Sequence, residues 1–284
     1  MKAAVLGLGE AGSRYAADLA AAGWEISGYD PGPVATPSGV HRAESAAAAA
    51  QASELIIGFT GQGPAAAAAA QAAPAMRAGG CYADFNSASA ARKREVQQAV
   101  ADTAATVEMA DVAVLAPVDR SGAATPLLVS GPGAAFVAAA FAGLGAHVEV
   151  LAAPVGAAAD RKLLRSVFMK GLAAVVLEAA AAARAAGCEQ WLRDQMAAEL
   201  GPGGPALVDR LIRGSARHAA RRIPEVTESR AYLQDLGMPT DVCEATLSWL
   251  SRLRDGADAS LLGNASGHPG QLRSGADFHR ADGA

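Results

Sequence analysis

The sequence has few cysteines. It contains three, Cys81, Cys188 and Cys243, an odd number without Cys-x-x-Cys spacing. Disulfide-stabilised secreted domains and structural zinc sites both need cysteines in larger number or at closer spacing, so neither is expected. We therefore expect no metal site, thiols that stay reduced, and a cytoplasmic protein.

An excess of positive charge is also lacking. The formal net charge is −4, from 24 Lys and Arg residues against 28 Asp and Glu residues. Proteins that bind nucleic acids usually carry a basic face, so no nucleic-acid partner is expected. The apolar run at residues 3–6 is only as long as a strand and glycines follow it, which indicates neither a signal peptide nor a membrane span.

Bulky apolar side chains are scarce over long stretches, where alanine takes their place. Residues 46–50 and 65–70 are all alanine. Alanine has the highest helix propensity and packs closely, so these tracts predict helices that lie near their neighbours. A chain of 284 residues is long enough for one large or two medium domains with a sizeable core.

The sequence does contain a glycine-rich turn, Gly7-Leu8-Gly9-Glu10-Ala11-Gly12, between the apolar run and a helix-like segment. In this pattern the first glycine permits a tight turn, the second lets a pyrophosphate approach the backbone, and the third lets the helix pack against the strand. The anion then lies at a helix N-terminus, where unpaired N–H groups favour negative charge. We predict that these six residues bind a dinucleotide.

Asp30 ends the second predicted strand, about 20 residues beyond the glycine turn, where a carboxylate accepts hydrogen bonds from the adenosine ribose. Its charge would repel a 2′-phosphate, which favours NAD over NADP without excluding NADP. The alternative is a helix cap or a turn aspartate in Asp30-Pro-Gly-Pro33. Arg42 is the nearest arginine downstream.

Strand-like and helix-like segments alternate in the first half of the chain. This alternation predicts an α/β Rossmann domain with a mostly parallel, doubly wound sheet over residues 1–153. The predicted strands are 3–6, 25–29, 55–59, 81–85, 107–114, 127–130 and 147–150. The predicted helices between them are 11–22, 43–52, 63–77, 88–104 and 133–142.

The second half lacks convincing strands. Helical patterns at 157–186, 188–200, 205–221, 226–236 and 239–254 predict an all-α domain over residues 154–262. Residues 263–284 are rich in Gly, Ser, His and Asp, which is typical of a disordered tail, and His268 and His279 are interpreted as solvated tail residues.

Ligands of open α/β sheets bind beyond the carboxyl ends of the strands. Phe59 and Thr60 lie at the end of the third predicted strand and Asn86 follows the fourth, so we expect them to contact cofactor or substrate. The alternative for Asn86 and its neighbour Ser87 is a helix cap. After the next strand, Leu115, Ala116 and Pro117 are expected to border a substrate pocket.

Lys162 lies in the first turns of the long helix, near the predicted domain junction. At helical spacing, Lys162, Ser166 and Lys170 fall near one face. A partly desolvated lysine has a lowered pKa, which suits acid/base catalysis, and the alternative is a solvated lysine. His218 and Arg222 belong to a polar cluster that a structural ion-pair network also explains. Pro224 is expected to interrupt the helix behind them.

Taken in order, these motifs resemble the superfamily of β-hydroxyacid dehydrogenases and 6-phosphogluconate dehydrogenase. That superfamily has the glycine turn, a pocket loop Asp-Ala-Pro-Val-Ser-Gly-Gly and a helix with Gly-x-x-x-x-x-Lys-x-x-x-Asn. The segment from Gly156 to Lys162 keeps the helix pattern, so the resemblance implies that Lys162 is the catalytic lysine. Ser166 stands where asparagine is expected, and residues 111–117 depart from the pocket loop.

The chain is more closely similar to a branch whose C-terminal domain has no assigned function. The similarity lies in four sequence segments, residues 84–89, 125–131, 162–171 and 221–228. It implies an NAD(P)-dependent dehydrogenase and a homodimer that buries the helical domain. Lys162, Asn86 and Ser166 are then the expected catalytic residues, and Leu115, Ala116, Pro117, Lys170 and His218 the expected substrate contacts. An imine reductase and a non-catalytic dinucleotide-binding protein remain alternatives.

Overall fold

The computed structural model describes residues 1–256. Eight strands form one sheet in the order β3-β2-β1-β4-β5-β6-β7-β8. The strands are β1 Lys2–Leu6, β2 Glu25–Tyr29, β3 Val40–Arg42, β4 Leu55–Gly58, β5 Cys81–Asp84, β6 Glu108–Val114, β7 Leu127–Ser130 and β8 Val148–Val150. The helices that connect them are α1 Glu10–Ala21, α2 Ala46–Ala50, α3 Ala65–Ala72, α4 Ala90–Thr103, α5 Val118–Ser121 and α6 Ala134–Ala142.

The sheet is parallel except at β6 and β7, where Val112 lies opposite Val129 in antiparallel register. The connection between these strands holds only the short helix α5 and a 3₁₀ turn, Gly122–Ala124. A parallel pair needs a longer crossover, so the chain returns antiparallel here. The predicted Rossmann-like fold with a mostly parallel sheet is confirmed. The prediction missed β3, which has three residues and is too short to form a pattern.

Apolar residues cover both faces of the sheet. On one face, Tyr15, Phe59, Phe85 and Phe141 form an aromatic cluster. On the other face, buried alanines of α2 and α3 pack close to strand residues such as Ile56. The alanine tracts therefore bring helices close to the sheet, as small side chains allow.

Within residues 1–256, four further helices follow the sheet. They are α7 Ala157–Ala185, α8 Glu189–Glu199, α9 Gly204–Asp235 and α10 Asp241–Arg254. Their core includes Leu177, Val208, Leu211, Trp249 and Leu250. Within residues 1–256, only α7 is long and apolar enough to cross a membrane by length and composition, a test that buried core helices also pass. Residues of α7 such as Leu177 are buried in this helical core.

The kink in α9 differs from the prediction. We expected two helices, 205–221 and 226–236, separated at Pro224. Instead α9 continues through Pro224, and the non-helical residue is His218, with φ −118° and ψ 21°. A proline ring crowds the carbonyl of the residue four positions earlier, so the helix distorts on the N-terminal side of Pro224.

Some predictions stay untested. The predicted tail, 263–284 with His268 and His279, lies outside the described residues. The predicted domain boundaries also stay a prediction.

Cys81 and Cys243 are buried free thiols, and Cys188 is an exposed one.

Candidate active site

The glycine turn joins β1 to α1, and its glycines have different surroundings. A Cβ atom at Gly7 would lie 2.4 Å from the Phe59 carbonyl oxygen, and one at Gly12 would lie 1.9 Å from the Gly7 carbonyl oxygen. A Cβ atom at Gly9 would meet no atom within 4 Å. Gly7 and Gly12 therefore serve close packing of the turn, whereas Gly9 borders open space, as the approach of a pyrophosphate requires.

The start of α1 fits an anion. Gly9 is the N-cap and offers no side-chain acceptor to the first N–H groups of the helix. Those groups are therefore free to donate to a ligand such as a phosphate. The Leu8 N–H is directed elsewhere and donates to Asp30 Oδ2 at 2.8 Å, while Ser13 Oγ donates to the Leu8 carbonyl oxygen at 2.5 Å.

Asp30 lies beside the glycine turn and also forms a turn of its own. Its Oδ2 accepts from the Leu8 N–H, which places it beside the glycine turn, and its Oδ1 accepts from the Gly32 N–H at 2.8 Å, as in a turn aspartate. Arg42 folds back onto the same loop. Its Nη2 donates to the carbonyl oxygens of Asp30 at 2.6 Å and Gly32 at 3.1 Å. The loop thus holds both an acidic and a basic side chain.

Asn86 links the carboxyl ends of β4 and β5. Its Oδ1 accepts from the Gly61 N–H at 2.7 Å, and its Nδ2 donates to Asp84 Oδ1 at 2.6 Å and Thr60 Oγ1 at 3.4 Å. The cap of α4 is Ser89, so neither Asn86 nor Ser87 is used as its cap.

Phe59 contributes its backbone to the turn. Its ring packs against the rings of Tyr15 and Phe85, at a centroid distance of 5.1 Å in each case. Its carbonyl oxygen is the atom that faces Gly7. A contact of Phe59 with a bound cofactor would therefore involve the main chain.

Lys162 of α7 reaches the end of β5. Its Nζ donates to Ser87 Oγ at 2.6 Å. Desolvation by burial lowers the pKa of the Lys162 ammonium to about 8, and the positive charges of Lys93 and Lys170 act in the same direction. Glu225 and Asp111 oppose this shift. An amine with this pKa is present in both protonation states near pH 8.

Ser166 and Lys170 form a second polar group on α7. Lys170 Nζ donates to Ser166 Oγ and forms an ion pair with Glu225 Oε2 at 2.8 Å. Burial alone would raise the pKa of Glu225, but the charge and hydrogen bond of Lys170, with Arg221 and Lys162, hold that pKa below its usual value. The hydrogen bond found for Ser166 is thus to Lys170, one turn along the helix.

The expected substrate residues lie in two places. The Leu115 N–H donates to the Pro126 carbonyl oxygen at 2.9 Å, and the Leu115 side chain packs near Ala158 of α7. Ala116 is half-buried, and Pro117 is exposed at the start of α5.

His218 lies at the kink of α9. Burial and nearby arginines lower the pKa of His218, whereas Glu10 of the glycine turn acts to raise it, so His218 lies on the side of the glycine turn.

Sequence reasoning missed a buried charge cluster of Lys93, Asp84 and Asp111, which are 1%, 1% and 0% exposed. Lys93 stands in a charged run, residues 92–95, that is typical of a solvated helix face. Its spacing to Val96 and Val100, which are buried, was the available signal. For Asp111 the signal was a carboxylate in the middle of an apolar strand. Within residues 1–256 no group of three or more His, Cys, Asp or Glu side chains is placed to hold a metal ion.

Comparisons with known proteins agree with this fold. A family described as the NAD binding domain of 6-phosphogluconate dehydrogenase matches residues 2–152, and a domain of unknown function (DUF1932) matches residues 183–253. None of the curated proteins compared with the chain matches it.

Solved structures resemble nearly the whole chain. A conserved hypothetical protein from Sinorhizobium meliloti 1021 is 26% identical, with a TM-score of 0.68 over 88% of this chain and 87% of that protein. A Mycobacterium tuberculosis 3-hydroxyisobutyrate dehydrogenase is 18% identical, with a TM-score of 0.73 over 92% and 97%. An imine reductase from Pseudomonas sp. is 22% identical, with a TM-score of 0.60 over 90% and 94%.

The family match covers more than half of the chain and includes the glycine turn, Asp30 and Asn86. The second match covers most of the helices after α7. The superfamily and the branch that the sequence resembles are thereby confirmed, as is an NAD(P)-binding domain. The chain belongs to the family that carries the NAD-binding domain of 6-phosphogluconate dehydrogenase, joined here to a C-terminal domain of unknown function.

Proposed function

We propose that the protein is an NAD(P)-dependent oxidoreductase that transfers hydride between nicotinamide and a small hydroxy or keto compound. One observation carries the proposal. The Lys162 amine, with a pKa of about 8, lies 2.6 Å from Ser87 Oγ at the sheet edge that also carries the glycine turn. A general acid/base group works best when its pKa is near the working pH.

The bound cofactor supplies the hydride chemistry, and the protein supplies binding, orientation and proton transfer. In this proposal the glycine turn and the start of α1 hold the pyrophosphate, and Asp30 accepts from the ribose hydroxyls. Asn86 orients the reacting groups. The Lys162 ammonium donates a proton to the developing alkoxide oxygen during reduction. The neutral Lys162 amine accepts that proton during oxidation.

A cluster of three arginines favours a substrate with an acidic group. Arg120 of α5, Arg165 of α7 and Arg210 of α9 form no ion pair or side-chain hydrogen bond with the residues that the structure describes. After burial, Arg120 and Arg165 are the causes that lower the pKa of the Arg210 guanidinium, so the three positive groups are near one another. Guanidinium groups pair well with carboxylates and phosphates.

Asp30 supports NAD as the cofactor, because a carboxylate at the ribose would repel a 2′-phosphate. Arg42 supports the other outcome, since its guanidinium lies on the same loop. We propose NAD as the preferred cofactor, because the Asp30 side chain borders the glycine turn directly through Leu8.

Reduction of an imine is the second candidate. An imine reductase from Pseudomonas sp. shares the fold, so imines belong among the compounds tested. An iminium substrate already carries its proton, so its reduction needs no proton from Lys162. A Lys162 variant that loses ketone reduction and keeps imine reduction would therefore favour this candidate.

We also propose a homodimer that forms through α7. Leu164, Phe168 and Val175 are 45%, 67% and 65% exposed, and their spacing places them on one face of that helix. Val242 of α10, itself 53% exposed, meets α7 at Gly171 in the same stripe. Monomeric proteins seldom expose such a contiguous apolar face, so a second copy is a suitable cover.

The test of function is turnover of the full chain with NADH or NADPH. The panel contains hydroxy and keto acids, uncharged alcohols and ketones, and imines. Oxidation of the reduced cofactor by a keto acid, with a loss of about 10²–10⁴-fold in Lys162→Met at unchanged cofactor affinity, is the expected result. Tight cofactor binding without turnover of any compound would favour the non-catalytic alternative.

A further inference from the structure

Lys93 is a buried cation that the proposed chemistry does not use. Its side chain is 1% exposed in the first turn of α4. An ammonium group removed from water is costly unless anionic or carbonyl oxygens surround it. Lys93 Nζ donates to the Asp84 carbonyl oxygen at 2.7 Å and lies 3.2 Å from Asp84 Oδ2 and 3.3 Å from Asp111 Oδ1.

The two carboxylates depend on this cation. Asp84 Oδ2 and Asp111 Oδ1 are buried and have no hydrogen-bond partner among residues 1–256, so the Lys93 ammonium is the charge that compensates them there. Without Lys93, two buried carboxylates on neighbouring strands would repel each other.

The remaining carboxylate oxygens hold two parts of the candidate site. Asp84 Oδ1 accepts from the Asn86 N–H at 3.0 Å and from Asn86 Nδ2 at 2.6 Å. Asp111 Oδ2 accepts from the N–H groups of Gly156 at 3.1 Å and Ala159 at 3.0 Å, which begin α7. Lys162 lies in the turn that follows.

We propose that Lys93 is a positioning residue of the candidate active site, and that it ties the Asn86 loop and the start of α7 together through Asp84 and Asp111. The consequence for turnover rests on the proposed function. The arrangement itself rests on the distances within the cluster. Lys93 acts through its two carboxylates and is not itself expected to contact substrate.

The cluster also acts on Lys162 through charge. Lys93 of α4 and Lys170 of α7 lower the pKa of Lys162, whereas Glu225 of α9 and Asp111 of β6 raise it, all in addition to burial. Removal of the Lys93 charge should therefore raise the pKa of Lys162, and removal of the Asp111 charge should lower it. If the cluster had only a structural role, there would be no reason for the pKa of Lys162 to shift in opposite directions after these two changes.

The experiment measures the reactivity of Lys162 towards trace acetic anhydride as a function of pH, in the full chain without cofactor, by mass spectrometry. The chain has four lysines, Lys2, Lys93, Lys162 and Lys170, so the labelled peptides are readily told apart. We expect Lys162 to titrate near pH 8 in the unmodified chain. In Lys93→Gln its titration should move to higher pH, and in Asp111→Asn to lower pH. If the pKa of Lys162 is higher by one, about tenfold less of its amine is neutral at pH 7.

Two further variants serve as controls. Lys93→Arg keeps the positive charge and should leave the titration of Lys162 close to that of the unmodified chain. Lys2→Gln removes a lysine that pairs with Glu25 at 3.4 Å at the amino end of β1, and it should change nothing at Lys162. If Lys93→Gln does not fold, the titration of Lys162 in Asp111→Asn tests the proposal, because this variant leaves Lys93 paired with Asp84.

Equal titration in all variants, or shifts of the same sign in Lys93→Gln and Asp111→Asn, would overturn the proposal. The labelling requires no turnover, so it separates this inference from the proposed function. Opposite shifts combined with full turnover of Lys162→Met would retain the role of Lys93 and reject Lys162 as the acid/base group.

Discussion

Lys162 Nζ lies 2.6 Å from Ser87 Oγ, although the two residues are 75 positions apart in the chain. Ser87 follows β5, and Lys162 belongs to the second turn of α7. The hydrogen bond orients the amine at the edge of the sheet where the glycine turn also ends.

Replacement of Ser87 by Ala should lower turnover about tenfold, because the Lys162 amine loses the oxygen that orients it, and general acid/base catalysis depends on such positioning. Steady-state kinetics with the best substrate of the panel measure the effect. Ser89→Ala is the matched control. It removes the cap of α4 and should cost about 1 kcal/mol of stability while turnover stays near normal. Equal losses of turnover in both variants would contradict the role of Ser87.

The two directions of the reaction should depend on pH in opposite ways. Lys162 has a pKa lowered to about 8 by burial and by Lys93. Oxidation needs the neutral amine, so its rate should rise as the pH increases through about 8. Reduction needs the ammonium, so its rate should fall over the same range. Profiles of kcat/KM in both directions check this, and Lys162→Met should remove the transition near pH 8 from both.

Two glycine variants should separate cofactor binding from folding. A methyl group at Gly9 enters open space and the φ of −66° is acceptable for alanine, so Gly9→Ala should fold normally and lose about tenfold or more in cofactor affinity. At Gly12 the added Cβ would lie 1.9 Å from the Gly7 carbonyl oxygen, so Gly12→Ala should lower both the melting temperature and the affinity. Unchanged cofactor affinity in Gly9→Ala would count against a pyrophosphate at this turn.

The cofactor preference should depend on Asp30. Asp30→Asn removes the charge and keeps one oxygen that can accept from the Leu8 N–H or the Gly32 N–H, so it should weaken NADH binding and increase the NADPH to NADH affinity ratio about tenfold. Fluorescence titration of both reduced cofactors measures the ratio. Arg42→Gln is the companion variant. Tighter binding of NADPH than NADH in the unmodified chain, lost in Arg42→Gln, would refute the NAD preference.

A charge on the exposed face of α7 should dissociate the proposed dimer. Phe168→Asp replaces an apolar side chain that is 67% exposed, and sedimentation velocity should then give a monomer. Val34→Asp is the control, because Val34 is 37% exposed in the loop after β2 and lies outside the α7 face. A monomer already in the unmodified chain would exclude the dimer.

Several features followed from neighbouring residues in the sequence. The glycine turn was recognised because its three glycines, the preceding strand and the following helix are contiguous. The alternation of strands and helices predicted the parallel sheet, since each segment carries its own hydrophobic pattern. The antiparallel step at β7 and the kink at His218 were not predicted, because connection length and helix packing decide them.

The residues of the charge cluster were harder to recognise. Lys93 looks like a surface residue among Arg92, Arg94 and Glu95, and only its alignment with Val96 and Val100 indicates burial. Its partners Asp84 and Asp111 come from separate strands, and no spacing in the sequence connects them. Such pairs are formed by strand register, which depends on the whole sheet.

The sequence by itself determined the turn that fits a dinucleotide and the helical second half, because both depend on backbone propensities and on patterns within a few residues. Only the tertiary structure decided the pKa of Lys162. Its lowered pKa arises from burial, from Lys93 and from the other charges that packing brings near it. A side chain acquires such properties from its surroundings, and those surroundings come from residues far away in the chain.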